Sequence, residues 1–382
     1  MTGSGQILDA LETMAQYGVL PADAVNFFDV GTREYLTFFE NEIIEALIAH
    51  GGATCRFFEG AYGSGKTHLL HILGDFALKK GMVVASTDLS QAMGLDDWRL
   101  ITLYILQNMQ AVIDGELVRS LPEILAMYGQ SGKAKLGSLR SAKLPHSGFQ
   151  IAMIQAVNSD AASDLAWSKV KAFLLGHKVT ATEFKRYGIQ GIKNSLTQKN
   201  AEQVLKTVLG GLYHLGFTGT MLLFDENEKT LQYTGRTPSR KYLIAANLMR
   251  RLIDGCANGL LVGTVAVFAV LPGFLENCNM IYPALGQRIQ LFRGPFKKPA
   301  WRSAVLPVHY VNTVREPEEF LNNAAERMVS LVRQYGGNAS GLNNEMITYG
   351  RRLIELNVGT GYKRELMKAL SVLAIKRINM GG

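Results

Sequence analysis

An α/β fold, a mostly parallel sheet covered on both faces by helices, is what this sequence predicts, and three observations predict it. Short apolar runs of strand length recur at 54–59, 82–87, 221–224, 260–270 and 305–310. Between them lie stretches with apolar residues at helical spacing. The hydrophobic share is 47% and the charged share 19% of 382 residues, which suits strands buried on both faces and excludes a disordered chain.

Taken in order, residues 1–50 read as a helical segment, with Ile7, Leu8, Leu11, Met14 and Ala15 on one stripe, Gly18 and Pro21 as punctuation, and Phe38, Ile43, Ile44, Leu47 and Ile48 on a second stripe. Residues 51–312 read as the sheet-bearing core. A helical insertion at about 94–208, without a strand, follows the second strand, and residues 131–149 form an exposed loop carrying Lys133, Lys135, Arg140 and Lys143 and no acid. Residues 313–382 read as a helical end piece, with Phe320, Ala324, Met328, Leu331 and Val332 in one helix and Leu366, Leu370 and Leu373 in the last.

Cys55, Cys256 and Cys278 lie far apart with no metal-ligand spacing, so they read as buried reduced thiols. The first residues lack the basic and then apolar run of a signal peptide, and the most apolar stretch, 260–271, falls short of the ~20 residues that span a bilayer. A cytoplasmic protein is the expectation. The 40 Lys and Arg against 32 Asp and Glu give a net charge of +8, which points to an anionic partner.

The chemistry is concentrated at Gly60-Ala61-Tyr62-Gly63-Ser64-Gly65-Lys66-Thr67, which satisfies G-x-x-x-x-G-K-[ST] between a strand and an amphipathic helix. In such a P-loop the glycines let backbone N–H groups turn around phosphate, Lys66 reaches the β- and γ-phosphates, and Thr67 can ligate Mg²⁺. His68 follows directly. The strand 221–224 delivers Asp225 and Glu226 at its end, Asp225 suited to the metal and Glu226 to polarising the attacking water, with Glu228 a weaker candidate. No N-K-x-D guanine reader is present, so ATP is the expected nucleotide. Arg288 and Arg364 are candidate cationic stabilisers of the transferred phosphoryl group, Arg288 from a neighbouring subunit and Arg364 in cis from the last helix. His68 and His71 lie one turn apart but read as a partly buried helix face, since no third metal ligand is evident. Arg293, Lys297, Lys298 and Arg302, interleaved with Phe292, Phe296 and Trp301, make a candidate DNA track.

Several of these segments together resemble the ATP-binding proteins of the BREX type of bacterial phage-defence system: Phe27-Phe28-Asp29-Val30-Gly31-Thr32-Arg33-Glu34, the run from Arg56 to Leu70, the strand from Val83 to Ser90, and Leu222 to Lys229. The resemblance implies an AAA+ type ATPase of the additional-strand class, with a C-terminal helical lid and nucleotide bound at subunit boundaries of a homo-oligomer. It further implies work with DNA and other defence proteins. It makes Lys66 and Thr67 the phosphate and Mg²⁺ ligands, Asp225 and Glu226 the acidic pair, Arg288 the candidate finger and Arg364 the candidate sensor arginine. Two departures stand out: Lys363 replaces the proline that opens the family's last helix, and the strand ending Phe268-Ala269-Val270-Leu271 has no polar residue at its tip. Slow or partner-stimulated hydrolysis is expected from the second. A replication-initiator or transposition-type loader, and a nucleotide-gated assembly module with little turnover, are the alternative readings.

Overall fold

The computed structural model describes residues 3–18, 20, 22–88, 97–159, 165–225, 238, 240–293, 304–307, 317–356 and 362–380. In chain order the elements are α1 (Gly3–Tyr17), α2 (Arg33–Phe38), β1 (Ala53–Glu59), α3 (Lys66–Lys79), β2 (Val83–Asp88), α4 (Trp98–Asn108), β3 (Met109–Ile113), β4 (Glu116–Arg119) and α5 (Leu121–Gln130). Then come α6 (Leu136–Ser141), α7 (Ser147–Val157), α8 (Leu165–Leu174), α9 (Ala181–Lys185), α10 (Ala201–Leu215), β5 (Thr220–Asp225), α11 (Arg240–Ala257), β6 (Thr264–Val270), α12 (Phe274–Ile281), α13 (Pro283–Arg293), β7 (Val305–Pro307), α14 (Pro317–Tyr335), α15 (Leu342–Leu356) and α16 (Tyr362–Asn379).

The seven strands form one mixed sheet in the order β4-β3-β2-β5-β6-β1-β7. Its five central and right-hand strands are parallel: β2 runs with β5, β5 with β6, β6 with β1, and β1 with β7. The ends of β1 and β5, which carry the candidate chemistry, are therefore separated by one strand, β6. All seven residues of β6 are buried, as a strand covered on both faces requires. Alternation along the strands divides two cores. Phe57, Leu222, Phe224, Ala266 and Phe268 face the insertion helices, and Phe58, Met221, Leu223, Val265 and Val267 face α2 and α3. Phe224, Phe268 and Phe57 stack in succession across the first of these faces, with ring centroids 4.6 and 5.2 Å apart.

Three expectations need correction. The insertion does contain strands: β3 and β4 form a hairpin that adds to the edge of the sheet antiparallel to β2. Its two-residue turn is Asp114-Gly115, with φ of 51° and 88°, the left-handed pair that joins twisted strands most easily. Met109 continues the helical spacing of Leu103 and Leu106, which hides the switch of period at the start of β3. The segment 131–149 is not a loop throughout, because α6 and the start of α7 occupy it and bury Leu139 and Phe149. Its lysines and Arg140 do face solvent, and Lys133 pairs with Asp114 at 2.6 Å. The fourth parallel strand is also shorter than 260–270, since Leu260 is exposed and pairing starts at Thr264.

The segment 1–50 does not pack as one body. Ile7, Leu11 and Met14 of α1 join α14, α15 and α16 in a separate core with Leu321, Met328, Leu331, Leu366 and Leu370, a four-helix bundle built from both ends of the described chain. Tyr35, Phe39, Ile43, Ile44 and Ile48 pack instead on the sheet beside α3. No helix among the described residues is long and apolar enough to cross a membrane. All three cysteines are free and buried, with Cys55 and Cys256 Sγ atoms 3.7 Å apart.

Leu11 is fully buried in the bundle, and truncating such a leucine costs about 2–5 kcal/mol. Leu11→Ala is expected to lower the urea midpoint accordingly, measured by circular dichroism; an unchanged midpoint would mean that α1 does not hold the bundle together.

Candidate functional site

Lys66 begins α3 and is only 7% exposed. A buried ammonium needs acceptors, and its Nζ donates to the carbonyls of Gly60 at 2.8 Å and Ala61 at 3.1 Å. The loop curls back over its own lysine, and Gly63 and Gly65 take φ of 76° and 94° to allow it. A Cβ built on Gly65 meets nothing within 4 Å, so the backbone there borders open space. Gly60 N–H donates to the Val270 carbonyl at 3.0 Å, fixing the loop's first residue to the end of β6. The first amides of α3 have no carbonyl a turn earlier in the helix and, with the helix dipole, form a positive end. On the far side α3 lies close on β5, where Gly74 leaves room for Leu223, 3.2 Å from a Cβ built at 74.

This loop forms one wall of a cavity of about 350 Å³. Tyr62, Gly63, Ser64, Gly65, Lys66, Thr67 and His68 line it together with His71 and with Asp225 at the end of β5. The bundle closes the opposite side with Phe320, Lys363, Arg364 and Met367, and the N-terminal segment contributes Met14, Gly18, Leu20, Val25, Phe28, Val30 and Thr32. Arg364 reaches across: its guanidinium donates to the Tyr62 hydroxyl at 3.2 Å and to the Tyr17 carbonyl at 2.7 Å. Gly18 takes φ of 64°, and a Cβ there would come within 2.7 Å of Arg364 Nε, so a side chain at 18 would displace the arginine. The turn before α2 is held by Thr32 Oγ1 donating to Asp29 Oδ1 at 2.6 Å, and Arg327 of α14 ties it to the bundle through the Phe27 carbonyl at 2.7 Å.

Burial sets the electrostatics of the cavity. It pushes the His68 imidazole down to about 4, with Asp29 opposing and His71 adding to the effect. His71 is also lowered by burial, against the pull of Asp225 and Asp75. Burial pushes the Lys363 amine down to about 8, and its Nζ lies 5.0 Å from the Phe320 ring centre. No group of three metal-ligating side chains occurs among the described residues.

The residues fit a phosphate-bearing ligand. Ser64 Oγ is buried within the loop without a hydrogen-bond partner, Gly65 borders open space, and the exposed Thr67 hydroxyl and the Asp225 carboxylate are hard oxygen donors on the same cavity. Of the sequence candidates, the loop residues from Tyr62 to His68, Asp225 and Arg364 are brought together. Gly60 and Ala61 stand behind, as acceptors for Lys66. Arg288 does not line the cavity: on α13 it pairs with Asp254 and donates to the Ala284 carbonyl at 2.7 Å. Glu226 and Glu228 lie outside the described residues, as do Lys297, Lys298 and Arg302, and Arg293 is described only as the last residue of α13. The apolar wall from 14–32 and Lys363 as a lining residue were not assigned from sequence. The Phe27–Glu34 motif carried the only signal for that wall, without indicating its role.

The fold is consistent with the α/β NTPase-like kind. A family model, that of the BREX system ATP-binding protein BrxC/D, matches residues 3–128 and 133–315, well over half of the chain. The chain belongs to that family and is an ATP-binding protein of a phage-defence system. No curated protein matches it.

Because Lys363 has a lowered pKa in the folded chain, the unfolded chain binds more protons between pH ~8 and its ordinary 10.5. Stability therefore rises with pH across that window, and the full cost of the buried cation is present below pH 8. Lys363→Met is expected to be more stable than the parent at pH 7, with the difference closing by pH 10.5. Urea titrations at the two pH values check this, and a gap independent of pH would refute it.

Proposed function

We propose that the chain is an AAA+-like P-loop ATPase that binds ATP with Mg²⁺ in the cavity between sheet and bundle and hydrolyses it to ADP and phosphate. The observation that carries this reading is the single cavity on which Lys66, Thr67, Asp225 and Arg364 converge from three separate parts of the chain. The sheet order supports it, since one strand stands between β1 and β5, as in the additional-strand class.

In this reading the Lys66 ammonium leaves the Gly60 and Ala61 carbonyls for the β- and γ-phosphate oxygens, and the amides at the start of α3 cradle the rest. Thr67 and Asp225 hold Mg²⁺, which when bound neutralises charge building on the phosphate oxygens. Glu226, one residue beyond Asp225, accepts a proton from the attacking water. Arg364 turns from Tyr62 toward the γ-phosphate in cis. Arg288 acts in trans, as the finger of a neighbouring copy in a homo-oligomer. The protein works with DNA and with other components of the defence system, and the 287–302 segment with Arg293, Lys297, Lys298 and Arg302 is a candidate contact for DNA.

A second reading, a nucleotide-gated assembly module with little turnover, is favoured by one detail. β6 ends in Val270, which is buried, and Leu271 follows it, so the tip of this strand offers no polar side chain between β1 and β5 to orient water.

Lys66→Ala removes charge-assisted bonds of about 1.5–3 kcal/mol each, so ATP affinity by calorimetry is expected to fall roughly 10- to 100-fold or more. Retained affinity would overturn the whole reading. Glu226→Gln is expected to keep ATP binding and to lower turnover by about 10²–10⁴-fold, the usual contribution of a general base. If turnover in the parent is already negligible with and without DNA, the assembly-module reading holds instead.

A further inference from the structure

A second cavity, of about 840 Å³, opens on the insertion and shares no lining residue with the first. It lies among the starts of α4, α7 and α10 and the loops at 176–181 and 193–197. Three cations, Arg99, Lys178 and Lys193, line it from three different segments, and no Asp or Glu lines it. All three are exposed, and none forms an ion pair among the described residues. A solvated surface normally mixes both signs of charge. A concave surface with cations alone focuses positive potential inward.

Side chains of the cavity wall hydrogen-bond several of its backbone groups and join its loops. Ser195 Oγ donates to the Val179 carbonyl at 3.1 Å and accepts from the Val179 N–H at 3.2 Å, joining the two loops. Asn200 accepts from the Thr197 N–H at 2.7 Å and donates to the Ser195 carbonyl at 3.0 Å. Gly148 lets α7 approach so closely that a Cβ there would lie 2.2 Å from the Lys193 carbonyl. His146, 6% exposed, sits on the wall and accepts the Phe149 N–H at 3.1 Å. The long cationic side chains supply the charge on this lining.

Positive charge continues along the same segment. Residues 176–200 carry Lys178, Lys185, Arg186, Lys193 and Lys199 against one acid, Glu183. That carboxylate is already committed to the Thr180 N–H and hydroxyl, at 2.8 and 2.9 Å, and to Lys169 at 3.2 Å. A single small anion would need one or two cations at one point. Three cations on separate walls of a wide cavity, continued by three more along the segment, suit a chain of phosphates at intervals.

We propose that this cavity is a binding site for a nucleic-acid strand, contacted through its backbone phosphates by Arg99, Lys178 and Lys193. The proposal stands apart from the ATP reading, since the two cavities have no residue in common.

The test is fluorescence anisotropy of a labelled 30-nucleotide single strand with the full chain, between 50 and 200 mM salt, for the parent and for Arg99→Gln/Lys178→Gln/Lys193→Gln. Losing three phosphate contacts is expected to weaken binding at least tenfold at low salt and to reduce the log–log salt slope by about 2. The Arg99→Lys/Lys178→Arg/Lys193→Arg variant is expected to retain both affinity and slope. ATP affinity is expected to be unchanged in each. Should the glutamine triple fail to fold by circular dichroism, Lys178→Gln alone is expected to lower the slope by about 0.7. Parent-like affinity and slope in the folded glutamine variant would overturn the proposal. So would a parent that ignores the strand but binds inorganic pyrophosphate in a Lys178- and Lys193-dependent manner, which would make the occupant a small anion.

Discussion

A lysine ammonium taken out of water must find acceptors or cost several kcal/mol, and that requirement at Lys66 organises the nucleotide end of this protein. The carbonyls of Gly60 and Ala61 meet it, which forces the chain to double back within six residues. Doubling back requires left-handed backbone at Gly63 and Gly65 and a fixed start, supplied by the bond from Gly60 to β6. With the loop so bent, α3 begins at Lys66 with its apolar face on β5. The same carbonyls that quiet the lysine compete with any anion for it. In the proposed reading, binding of phosphate would be an exchange of partners on a preformed loop, with little backbone left to order.

What could be read from the sequence follows the range of the interactions involved. The glycine-rich loop was legible because its spacing encodes a turn decided within eight residues. The five parallel strands were legible because fully buried strands leave unbroken apolar runs such as Met221 to Phe224. The β3–β4 hairpin was not, since Met109 satisfies the helical stripe of α4 and the strand alike, and only Asp114-Gly115 betrays the turn. Nor was the joining of α1 to the C-terminal helices, which depends on apolar faces more than 300 residues apart in sequence finding each other.

The site divides along the same line. Lys66 opens the helix after the glycine-rich loop and Asp225 ends a strand, where local pattern predicts them. Arg364 could be named from its place at the start of the last helix, but its partners, Tyr62 and Tyr17, come from distant segments and are set by packing alone. The walls at Val25, Phe28 and Phe320 read in sequence as ordinary core residues, because an apolar side chain that lines a cavity and one that fills a core obey the same periodicity. Arg288 illustrates the converse: a residue with the right sequence position is drawn by Asp254 to the surface of its own helix pair, away from its own chain's cavity.

The bundle of α1, α14, α15 and α16 is fastened to the sheet by two stretches of chain, one leading from α1 to α2 and the other from β7 to α14. A body hung from a single strand can swivel in any direction. One hung from two can turn freely only about the line through its attachments, as a door turns on a pair of hinge pins. Arg364 bonds the Tyr17 carbonyl at one of these attachments and the Tyr62 hydroxyl on the glycine-rich loop, so a single guanidinium bridges the bundle's connection and the cavity.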